Sequence, residues 1–179
     1  MTTFISTITA DATSHVLNTL STLYTNPPFA VMREFIANGI DAHTDAGYDG
    51  PVEVTVPTAD SQVLVIRDHG KGMSRDTLMN VYYNYGESTK RGDGSKIGSF
   101  GLGSKSAYAL SPTWELTSVT ATEVIHVVSS INEQGLPSHT MSEKPNDGTV
   151  ATGVTVSIPS SGASINQFRE ESRRLLTWL

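Results

Sequence analysis

Residues 33–43, REFIANGIDAH, constrain the fold more than any other stretch of the chain. Wound on a helix at about 100° per residue, Glu34, Asn38, Asp41 and Asp45 fall within a strip roughly 60° wide. Val31, Phe35, Ile36, Gly39, Ile40, Ala42 and Ala46 cover most of the remaining circumference. A helix apolar on most sides is buried on most sides, and a stripe of acids with an amide is costly in a core unless a cationic or hydrogen-bonding group faces it. Taken alone, the helix reads equally well as a surface helix with its polar side in water. The rest of the chain decides between these readings.

A length of 179 residues suits one domain with a real core. The net charge of −6 argues against broad nucleic-acid or anionic-membrane binding by the domain as a whole. With no cysteine, disulfides and thiolate metal sites are excluded. The five histidines show no paired metal spacing, and His43 falls on the apolar side of its helix as a packed residue. The N-terminus lacks the basic start and apolar run of a signal peptide, and no apolar run approaches the ~20 residues of a membrane span. The expected location is cytoplasmic.

Along the chain, residues 1–11 are Thr-rich and β-branched, an edge strand or an arm. Residues 14–24 carry Val16, Leu17, Leu20 and Leu23 at helical spacing. Asn26-Pro27-Pro28 breaks that pattern and seats the striped helix, expected over 29–46 and ended by Gly47. Residues 52–56 and 63–67 read as paired strands, the second delivering Asp68 to the loop DHGKGM. A helix over 74–82 with Ser74 as its cap follows. Six glycines lie between 84 and 105, with four basic side chains against two acidic ones, so this is where an anion would go. A short helix over 104–110 precedes strands at 114–120, 124–131, 139–142 and 154–158, and a charged helix starts at 165. The units expected are an arm (1–13), a main domain (14–160) and a C-terminal helix (161–179) leading into a further domain.

Three segments carry the chemistry, EFIANGID, DHGKGM and GSFGLGSKS, in that order. The third fails as a P-loop, because Ser104 separates Gly103 from Lys105. It fails as a dinucleotide fingerprint too, with Ser106 where a third glycine belongs and a loop rather than a strand expected before Gly101. Jointly the three resemble the GHKL ATPases, the group of gyrase B, histidine kinases and MutL. The pattern is carried by Glu34/Asn38/Asp41, by Asp68/Gly70/Gly72 and by Gly98/Gly101/Gly103. The phrases AVMREFIANGIDAHTDAG, YGESTKR and IGSFGLGSKS are also similar to phage rIIA-type lysis-inhibition proteins.

The resemblance implies a two-layer α/β sandwich of the Bergerat type, with a mixed sheet and helices on one face. It implies ATP and Mg²⁺ as ligands, with Glu34 orienting the attacking water and Asn38 holding the metal through its amide oxygen. Asp41 joins the nucleotide-binding set. Asp68 accepts the exocyclic amine of adenine, Gly70 and Gly72 admit the base, and Met73 packs on the ring. The backbone from Gly98 through Ser99, Phe100, Gly101, Leu102, Gly103 and Ser104 to Lys105 cradles the phosphates, with charge from Lys90 and Lys105.

One position departs from the family pattern: Val154 stands where a threonine beside the aspartate is expected, leaving Thr155 or Thr152 to take its place. A catalytic lysine that some relatives draw from a following domain is absent here. The activity implied is slow ATP hydrolysis coupled to lid closure and to an ATP-dependent homodimer reached by the N-terminal arm. The alternatives are an ATP-responsive module that does not hydrolyse, and a histidine-kinase catalytic domain. Against the last, too few residues precede Glu34 for a phosphoacceptor helix pair.

Overall fold

The computed structural model describes residues 2–5, 25–83, 103–160 and 165–175. Helix α1 spans Pro27–Ala46. The Asn26 side chain accepts the Phe29 N–H (3.3 Å), and Pro27 and Pro28 fill positions whose N–H groups would have no helical partner. Gly47 ends the helix in the left-handed conformation (φ 66°), and the Tyr48 N–H donates back to His43 O (3.0 Å).

The described strands form one seven-stranded sheet, ordered β1-β6-β5-β4-β7-β3-β2. They are β1 (Thr2–Ile5), β2 (Glu53–Thr55), β3 (Val63–Arg67), β4 (Thr113–Val119), β5 (Glu123–Ile131), β6 (Pro137–Pro145) and β7 (Gly153–Pro159). Every adjacent pair is antiparallel, so the expected mixed sheet is corrected on this point. Hairpins join β2 to β3, β4 to β5 and β5 to β6, and β7 enters between β4 and β3.

The two-layer arrangement is as expected. Leu64, Ile66, Leu116, Ile125, Val127, Val156 and Ile158 alternate onto one face, where Val31, Met32 and Phe35 of α1 and Phe168 and Leu175 of α3 (Ile165–Leu175) close the core. The opposite face carries polar groups such as the Glu115–His126 pair (3.2 Å). Residues 75–82 make one helical turn, α2 (Arg75–Thr77), which widens into a π turn over Leu78–Tyr82. The helix expected at 104–110 is a 3₁₀ segment, Gly103–Ala109.

Of the two readings of the N-terminal stretch, residues 2–5 take the edge strand rather than the arm: they pair with Ser138–Met141 of the same chain. The helix expected at 14–24 lies outside the described residues.

Candidate functional site

The polar stripe of α1 meets the end of β3. Gly39 permits the approach, since a Cβ there would stand 2.9 Å from Val52 Cγ2 and 3.3 Å from Asp68 Cβ. Asp68 extends the β3–β7 ladder by one residue, its N–H donating to Val154 O (2.9 Å). Its Oδ1 accepts two backbone N–H groups, from Gly70 (2.9 Å) and Val154 (3.1 Å). One carboxylate oxygen is therefore fixed in place by the backbone. Burial raises the Asp68 carboxyl above its ordinary value, against the opposing pull of those N–H groups.

The loop after Asp68 is locked to β4. Gly72 takes φ +71°, and a Cβ there would collide with the Val119 carbonyl. The Met73 N–H donates to Ser118 Oγ (2.6 Å), whose hydroxyl donates to Met73 O (2.8 Å). Ser118 is opposite Val154 in the β4–β7 register, so one hydroxyl secures the loop beside the aspartate.

Between the stripe, this loop and the π turn lies a cavity of about 370 Å³. Asn38, Asp41 and Asp45 line one side, with Phe35 and Ala42 between them. Asp68, Gly72 and Met73 form the floor with Ile66, Val154 and Val156, and Thr77, Val81 and Tyr82 close the far side. Lys71 is the cation among these lining residues. Phe35, Ile66, Met73, Val154 and Val156 thus surround the Asp68 carboxylate with apolar surface, the lining expected of a pocket for a small organic ligand.

The scan against family models matches residues 24–147 to the histidine kinase-, DNA gyrase B- and HSP90-like ATPases. The chain belongs to this ATPase family. No curated protein matches it. Family membership assigns ATP as the ligand class, and the motif residues of this GHKL-type domain sort clearly in the structure. Asn38, Asp41, Asp68, Gly72 and Met73 line one cavity, with Gly70 beneath the aspartate. Glu34 lies one turn before Asn38 on the same stripe, outside the lining, with its carboxylate on the Arg33 guanidinium (3.0 Å).

Two expected ligands of the nucleotide lie elsewhere. Thr155 pairs with Arg67 and Thr117, and strand alternation puts it on the face opposite Val154 and Val156, off the cavity. Lys105 is buried, and its Nζ donates to Tyr82 O (2.6 Å) rather than lining the cavity. Lys90, Gly98, Ser99, Phe100, Gly101 and Leu102 lie outside the described residues; Gly103 and Ser104 begin the 3₁₀ segment. Sequence reading did not single out Ser118, Tyr82 or Thr77. The i, i+4 pair Thr77 and Val81 was a usable signal for one helical face, whereas Ser118 acts across 45 residues of chain and left none.

Burial pulls the Lys105 amine down to about 8 from an ordinary 10.5. The unfolded chain then holds more protons between these values, so stability rises with pH across that window and is lost as pH falls through the lower one. Melting temperatures should climb between about pH 8 and 10 in the parent, for a gain of up to roughly 3 kcal/mol, and stay flatter in Lys105→Met. Equal slopes in the two proteins would mean that the amine is solvated.

Proposed function

We propose that this domain binds Mg-ATP in the cavity between α1 and the end of β3, hydrolyses it slowly, and couples occupancy to dimerisation. The observation that carries this reading is the Asp68 carboxylate, pinned through Oδ1 by two backbone N–H groups at the floor of an apolar cavity. A carboxylate held this way accepts the N6 amine of adenine and opposes the O6 carbonyl of guanine. The α1 stripe supplies the phosphate end: Asn38 as the metal's amide ligand, Asp41 beside it, and Glu34 as the base that orients water.

The donor set suits Mg²⁺. Asn38 offers a single amide oxygen on the cavity wall, with Asp41 one turn further along the helix. Mg²⁺ keeps several waters and takes few protein ligands, and when bound it neutralises phosphate charge. Closure of residues 84–103 over the phosphates completes the proposed cycle. The rIIA-like phrases support placing the domain in the N-terminal part of a phage protein of that type, acting in the host cytoplasm. Among the described residues no helix is long and apolar enough to cross a membrane.

Dimerisation has a structural cost here. An arm that reaches a second subunit must first leave β6, which gives up the four residue pairs of β1 and bares a sheet edge. We expect a monomer without nucleotide or with ADP, and a symmetric dimer with a non-hydrolysable ATP analogue and Mg²⁺. Analytical ultracentrifugation of the full chain and of a variant lacking residues 1–11 checks this. An unchanged sedimentation coefficient with the analogue, or an equal shift without the arm, would count against it.

One observation favours the non-hydrolysing alternative: the Glu34 carboxylate is engaged by Arg33 and lies outside the cavity lining. In that case the domain is an ATP-responsive module, and closure rather than turnover is its output.

A further inference from the structure

His43 is on the side of α1 away from the nucleotide stripe, yet its ring is tied to the residue next to Asp68. The His69 N–H donates to His43 Nε2 (2.7 Å). A backbone N–H can only donate, so Nε2 carries no proton and the ring hydrogen sits on Nδ1. That hydrogen has its acceptor in Gly50 O, 3.1 Å away. One tautomer satisfies both contacts, and the protonated ring would set N–H against N–H at His69.

The surroundings hold the ring in this pose. His43 is buried at 5% exposure. Tyr48 meets it edge-on (centroids 4.8 Å, 72°) and lies against the His69 ring (5.1 Å, 33°). The His69 ring is in turn held by Glu53 of β2, Nε2 to Oε1 at 2.7 Å. The turn after α1 and the end of β3 therefore converge on the His43 imidazole, and β2 holds the neighbouring His69 ring.

We propose that His43, held as the Nδ1–H tautomer, is a positioning residue that fixes the Asp68 carboxylate for the nucleotide base. The backbone around Asp68 is anchored at three successive points: Asp68 N–H on Val154 O, His69 N–H on His43 Nε2, and Gly70 N–H on Asp68 Oδ1. The first joins the strand end to β7, and the third is internal to the loop. The second ties that loop to α1, which carries Asn38 and Asp41. His43 thereby sets the distance between the base-reading carboxylate and the phosphate-end side chains. The inference rests on the adenine-nucleotide reading of the cavity.

The test compares ATP binding to the full chain by calorimetry in the parent, His43→Leu and His43→Gln, with melting curves for each. Leucine keeps the apolar packing and removes the acceptor; glutamine can place an amide oxygen where Nε2 stands. We expect about tenfold weaker ATP binding for His43→Leu, the effect of one lost acceptor, and recovery of most of it in His43→Gln. Long-range ¹H–¹⁵N spectra of the parent should show His43 protonated at Nδ1 and bare at Nε2, a signature that does not depend on any variant folding. Parent-like ATP affinity in a folded His43→Leu protein, no recovery with glutamine, or an Nε2–H tautomer would overturn the proposal while leaving the ATP site standing. A parent that binds no ATP would overturn both.

Discussion

Asp68→Asn is expected to abolish ATP binding, weakening it by roughly 10³-fold or more, while the apo protein stays folded. The amide can keep its oxygen in the Oδ1 position, accepting from Gly70 and Val154 as the carboxylate does. Its NH₂ then occupies the second position and meets the adenine amine donor to donor. The pKa direction sharpens the prediction. Because burial raises the Asp68 carboxyl, its contribution to stability is present at low pH and is lost as pH rises through the folded value. At pH 7 the ionised group is a cost to the apo fold, so the neutral amide should melt no lower than the parent. Calorimetric titration with ATP and a thermal melt check both halves. Retained affinity would remove Asp68 from the base pocket, and a collapsed melt would make it structural.

Glu34→Ala should bind ATP about as well as the parent and hydrolyse it roughly 10²-fold more slowly or worse, the usual contribution of a positioned general base. The side chain lies outside the cavity lining and is paired only with its neighbour Arg33 among the described residues, at 3.0 Å. Such an exposed pair contributes little to stability, so the variant's melting temperature should hardly move. Single-turnover hydrolysis under saturating ATP separates this from a binding effect. Unchanged turnover would make Glu34 a surface residue, and a parent with no turnover would favour the ATP-responsive module.

Much of this site was legible because its parts are local. The spacing of Glu34, Asn38 and Asp41 on one helical face, the Asn26-Pro27-Pro28 start and the Gly47 stop all act within a few residues, and α1 follows them from Pro27 to Ala46. The Asp68 loop was equally visible, since a β-branched run ended on an acid and two glycines. Features set by distant partners were not. Ser118 is bound to Met73 only because β4 lies beside β7, and the choice between edge strand and arm for residues 2–5 is made by the open edge of β6. Lys105 follows the glycine-rich phrase and so read as a phosphate ligand, but the 3₁₀ segment turns it inward to Tyr82 O. The face taken by Thr155 depends on the register of β7 on β3, which is set across the sheet: with Asp68 bonded to Val154, strand parity sends residue 155 to the other face.

If Asp68 floors the base pocket, this domain selects adenine nucleotides. An equilibrium titration of the purified chain with ATP, ADP and GTP, with and without Mg²⁺, tests it most directly. The account predicts saturable binding of ATP and ADP, no measurable binding of GTP, and a tightening by Mg²⁺ that is larger for ATP than for ADP. GTP binding as strong as ATP binding, or no binding of any of the three, would contradict it.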